Sequence, residues 1–132
     1  MDAKEPYFGY LNGELIQSKV SLIRELPENL PKSYRDVLEV CYKSMIGARE
    51  ENSLEKAALL WEKYLKLLKD YPPLSRNQVY AFAAALEYLA CRECGEKVLK
   101  ASVCSEYDVS LVRFNNAMGK FLHVLADEKE EK

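Results

Sequence analysis

Ala81-Phe82-Ala83-Ala84-Ala85-Leu86-Glu87-Tyr88-Leu89-Ala90-Cys91-Arg92 decides the fold. Alanine, leucine and glutamate are strong helix formers, and no glycine or proline interrupts the run. Its many small side chains let neighbouring helices approach closely, so the segment reads as the central helix of an all-α domain. Ser75 or Asn77 is the expected cap, Val79, Phe82, Ala83, Leu86, Leu89 and Ala90 the expected buried line, and Gly95 the end.

The same periodic reading extends outward. Upstream, Tyr71-Pro72-Pro73 breaks a preceding helix. That helix starts at Ser53 and carries Leu54, Ala57, Ala58, Trp61, Leu65 and Leu68 at helical spacing. Before it, a helix capped by Ser33 runs to about Ile46 with Tyr34, Val37, Leu38, Cys41 and Met45 on one face, and Gly47 suits its end. Downstream, a short helix is expected over residues 97–103. A fifth follows, capped by Ser105 or Asp108, with Leu111, Phe114, Met118, Phe121, Leu122 and Leu125 facing inward.

The two ends read differently. Residues 1–32 form an arm in which Asn12-Gly13, set between apolar residues, favours a tight β-hairpin. Tyr7, Phe8, Tyr10, Leu11, Leu15 and Ile16 are too apolar to stay uncovered, so the arm is expected to pack on the helical body or on a partner. Residues 127–132 hold no apolar side chain and are expected to fray, which leaves 33–126 as the helical domain.

The order of these features resembles the cyclin-fold repeat of the archaeal and eukaryotic transcription factor B family. The stretches that carry the resemblance are Glu55 to Trp61, then Ala83 to Arg92, then Gly95 and Leu99-Lys100. That family shows an apolar helix ending in basic residues, an alanine-rich helix, a cysteine–arginine pair, a glycine, a short helix and a longer one. The resemblance implies a five-helix cyclin-like bundle and a role as a binding module in transcription or another DNA-associated assembly. The family normally carries two such repeats and an N-terminal zinc ribbon, whereas this sequence has room for one repeat and its arm contains no cysteine.

Composition bounds the partners. The 132 residues hold 19 Lys and Arg against 21 Asp and Glu, a net charge of −2, so nucleic-acid binding has to rest on a local patch rather than bulk charge. No apolar run approaches the ~20 residues of a membrane span. The first residues lack the charged-then-apolar layout of a signal peptide, so the expected compartment is the cytoplasm, or the nucleus in a eukaryote.

No cofactor or metal is expected. Cys91 and Cys94 form a C-x-x-C, but Cys41 and Cys104 stand alone and His123 is the one histidine, so the second close pair of a zinc site is missing. Buried reduced thiols are the simpler reading. There is no phosphate-binding glycine loop, G-x-S-x-G or paired metal histidines, and Glu50, Glu51 and Glu55 are explained by the helix dipole, so no enzymatic activity is expected.

Two surfaces remain. A helix-turn-helix made by the last two helices would present Ser110, Arg113 and Asn116 or Asn115 to a major groove of double-stranded DNA, with Lys97, Lys100 and Lys120 near phosphates. Glu93, Glu96, Glu106 and Asp108 lie in the same segment and oppose phosphate. The alternative is a protein–protein adaptor, or a small helical subunit of a larger complex, in which Trp61, Tyr64, Tyr80 and Tyr88 wall a groove for a protein partner.

Overall fold

The computed structural model describes residues 30–130, with side chains through Ala126. The expected hairpin lies outside these residues. Five helices follow in order: α1 (Lys32–Met45), α2 (Glu51–Leu67), α3 (Arg76–Glu93), α4 (Lys100–Tyr107) and α5 (Leu111–Glu130). The protein is mainly α-helical, and no strand occurs among the described residues.

The alanine-rich stretch is the axis of the structure. α3 touches each of the other four helices, and every residue from Ala81 to Cys91 is buried. A helix covered on all sides needs no polar face, which is why this one lacks the amphipathic stripe of its neighbours. Ser75 caps it in both directions: the Gln78 N–H donates to Ser75 Oγ at 3.2 Å, and the Ser75 N–H donates to Gln78 Oε1 at 2.8 Å. Gly95, at φ 79°, closes its far end in the left-handed region.

Aromatic side chains fill the space beside α3. Trp61 is the hub, with ring centroids 5.1 Å from Tyr64, 5.8 Å from Phe82 and 6.0 Å from Phe121. Fully burying a large apolar side chain contributes about 1.5–3 kcal/mol, so this cluster is a major part of the stability of the α2–α3–α5 contact.

Tyrosine hydroxyls tie the segment after α2 to this core and α1 to α2. Tyr34 donates to the Pro72 carbonyl at 2.6 Å, Tyr71 to that of Leu65 at 2.7 Å and Tyr42 to that of Leu54 at 2.8 Å. The Ser33 hydroxyl accepts the Leu74 N–H at 3.0 Å instead of capping α1, whose N-cap is Pro31.

Several boundaries differ from the sequence reading. α2 starts at Glu51, and Ser53 is a buried residue of its first turn. α4 covers Lys100–Tyr107 rather than 97–103, because Val103, Cys104 and Tyr107 are its buried side chains. α5 continues to Glu130, beyond the expected fraying point. Leu111 and Leu122, expected inside, are 53% and 46% exposed, and Ala117 is buried in the α5 core face instead.

Candidate functional site

α4 and α5 are consecutive helices joined by a three-residue turn, Asp108-Val109-Ser110. Two backbone bonds close the first helix: Val109 N–H to the Cys104 carbonyl at 2.9 Å and Asp108 N–H to the Ser105 carbonyl at 3.2 Å. Asp108 adopts the left-handed conformation this closure needs, φ 55° and ψ 47°. It therefore ends α4 and does not cap α5. Ser110 is the cap, its hydroxyl accepting the Arg113 N–H at 3.2 Å.

A buried carboxylate seats the unit on α3. Glu87 is fully buried, and its Oε1 accepts the Tyr107 hydroxyl at 2.6 Å. Its Oε2 accepts Arg49 Nε–H at 2.8 Å. Arg49 also lies 3.8 Å from Glu96, which in turn accepts the Ser53 hydroxyl at 2.7 Å. One network thus joins α4, the centre of α3, the α1–α2 turn and the start of α2. Sequence reading missed Glu87 and Arg49. The available signal was a single acid inside an eleven-residue run, Ala81–Cys91, that is otherwise apolar; a buried acid requires a partner.

Burial governs the titration of this region. It raises the Cys41 thiol well above its ordinary range, with the Glu87 charge adding to the effect. Burial likewise lifts Cys91 to about 11, against the opposing pull of the Arg49 guanidinium. Desolvation first, then the neighbouring Cys41 and Glu87, keep the Tyr107 phenol protonated far into the alkaline range. For Arg49, burial opposes the charge, and the Glu87 hydrogen bond with the nearby negative groups outweighs it. These thiols are poor nucleophiles or metal ligands at neutral pH. Among the described residues no group of three or more His, Cys, Asp or Glu could share a metal ion.

α5 divides into three faces. Phe114, Ala117, Met118 and Phe121 are buried, with Phe114 packed edge-on against Tyr88 at 5.6 Å. Arg113, Asn116 and Lys120 form an exposed line that borders the N-terminal turn of α3. Val112, Asn115 and Gly119 lie on the outer surface together with Leu111 and Leu122. No acidic residue occurs from Leu111 to Ala126.

Two clefts flank the line of Arg113. The smaller, about 360 Å³, is bounded by Ser75, Asn77, Gln78, Asn116, Arg113 and Lys120 with Ala81, Phe82 and Ala117 at its base, and no carboxylate lines it. The larger, about 1250 Å³, has Lys43, Arg76 and Arg113 on its walls but also Glu106 and Asp108. Arg113 and Lys120 have no carboxylate within ion-pair distance among the described residues.

The expected nucleic-acid set is therefore split. Ser110, Arg113, Asn116 and Lys120 come together on α5 and its cap. Lys97 precedes α4 and offers its carbonyl to Arg49 at 3.4 Å. Lys100 places its ammonium 5.8 Å over the Tyr88 ring, where the Arg92 guanidinium also sits at 5.6 Å. Of the opposing acids, Glu93 pairs with Lys56 at 3.2 Å, Glu96 is held by Ser53 and Arg49, and Glu106 accepts the Ser44 hydroxyl at 3.3 Å.

The aromatic set is split as well. Trp61, Tyr64 and Tyr88 are buried, Trp61 and Tyr64 among the rings of Phe82 and Phe121 and Tyr88 against Phe114. Trp61 Nε1–H is spent on the Tyr34 carbonyl at 2.8 Å. Tyr80 alone of the four is half-buried, at the wall of the larger cleft beneath the Arg76 guanidinium.

Comparison with protein-family models, with curated proteins and with solved structures finds no match.

Proposed function

We propose that this chain is a non-enzymatic binding module that offers the N-terminal half of α5 to double-stranded DNA, in the manner of one transcription factor B cyclin repeat. The observation that supports it best is the outward surface of α5 from Leu111 to Ala126, which holds no acidic residue and on which Arg113 and Lys120 have no carboxylate partner among the described residues, in a chain whose net charge is −2. Arginine and asparagine both pair bidentately with base edges, and a helix that follows a short turn fits the major groove. The turn and its caps hold α5 in place, while the Glu87 network anchors α4 behind it. The test is titration of the whole chain with duplex DNA at low and moderate salt. Binding that rests on phosphate contacts weakens steeply as salt rises; affinity indifferent to salt removes DNA from consideration.

A protein adaptor is the second reading. It is favoured by the exposed Leu111, Val112 and Leu122 on the same helix, 53%, 70% and 46% accessible. A partner held there binds with little salt dependence and is lost on Val112→Asp.

A further inference from the structure

Gly119 sits in the middle of a twenty-residue helix, where glycine is the least favourable ordinary residue. Its backbone is not in the left-handed region, so no turn requires it. Packing does not require it either: a Cβ added there would meet nothing within 4 Å. An alanine would fit and would strengthen α5. Nothing inside the described protein explains the glycine, and its open side faces outward.

The neighbours of Gly119 on that side are informative. Val112, Asn115 and Asn116 lie seven, four and three residues earlier and share its face. Asparagine can pair with adenine, and a valine methyl can pack on a thymine methyl. Arg113 and Lys120 are rotated away from this centre, toward the acid-free groove beside Asn77 at the start of α3, and Asn116 stands between the two, on the lip of that groove. Cations at one flank and small or amide side chains at the centre suit one phosphate strand and the base edges beside it, while Leu111 and Leu122 form the opposite, uncharged flank.

We propose that Gly119 marks the closest approach of a DNA groove to α5, with Val112, Asn115 and Asn116 facing the bases and Arg113 and Lys120 holding one phosphate strand across the groove shared with Asn77. This rests on the DNA reading and refines it. Arg113 becomes a phosphate contact instead of a base reader, and sequence preference passes to Asn115 and Asn116.

The test is Gly119→Ala in the whole chain, read by thermal unfolding and by titration with a fluorescent duplex of mixed sequence. The expected result is a pair of opposite changes. The unfolding midpoint rises by about 3–6 °C, because the helix gains alanine. Affinity for the duplex falls about tenfold, the size of one lost base-pair contact. In parallel, Lys120→Gln lowers the slope of log affinity against log salt by about 0.9, the value for one phosphate. If the parent chain binds the duplex with steep salt dependence and Gly119→Ala binds equally well, the close approach is refuted and the DNA reading survives. If the parent chain does not bind the duplex, both fall.

Discussion

The Glu87 carboxylate takes the Arg49 Nε–H at 2.8 Å across 38 residues of sequence, and it does so fully buried at the centre of the helix bundle. A charge placed there is tolerable only because Arg49 neutralises it and Tyr107 occupies its other oxygen. The pair is therefore a joint between elements and is costly to break from either side.

Glu87→Ala is expected to destabilise the protein by about 3–5 kcal/mol, since it takes the nearer counter-charge from Arg49, leaving Glu96 at 3.8 Å, and strips the buried Tyr107 hydroxyl of its acceptor. Glu87→Gln keeps the shape but loses charge-assisted bonds, and is expected to cost about 2–3 kcal/mol. Urea unfolding measures both. An effect below about 1 kcal/mol for Glu87→Ala would show that the network contributes little.

Asp108→Gly acts in the opposite direction. Asp108 holds φ 55° at the end of α4, a region where glycine meets no Cβ penalty. A gain of about 0.5–1 kcal/mol is expected in the same urea measurement, with the α4–α5 turn unchanged. Loss of stability would mean that the Asp108 side chain contributes more than its conformation costs.

Stability is expected to fall on the alkaline side, and Cys91 is one cause. Its folded value is about 11 against an ordinary 9.0, so both states hold the proton below about pH 9. Between about 9 and 11 the unfolded chain releases it while the folded chain keeps it, and each step in pH favours unfolding. Buried Cys41 and Tyr107 add to the same slope. Cys91→Ala should flatten the decline of the urea midpoint over this window without abolishing it. Superimposable slopes would clear Cys91 of the effect.

The position of each cation separates its role in DNA binding. Arg113→Gln removes a charge from the acid-free groove and is expected to weaken duplex binding and lower the salt slope by about 0.9. Lys100→Gln removes a charge stacked over Tyr88 and is expected to leave the slope unchanged. Equal effects of the two would place the duplex across both sites.

The tyrosines show where reading the chain as a string falls short. Nine in 132 residues suggested an aromatic contact wall. In the fold, Tyr34, Tyr42 and Tyr71 use their hydroxyls to hold backbone carbonyls, and Tyr107 holds Glu87. An apolar ring with one polar tip serves a core edge as well as an interface, and composition does not distinguish them.

Local chemistry determined the helices, their approximate order and the central place of Ala81–Cys91, because the 3.6-residue repeat and the cap at Ser75 act over one or two turns of chain. The pairing of Glu87 with Arg49, the outward rotation of Leu111 and Leu122, and the division of the basic residues between Tyr88 and the α3–α5 groove were decided only in three dimensions. Periodicity says which residues share a face; it holds no information about which distant segment arrives to cover that face, and burial and charge pairing depend on that arrival.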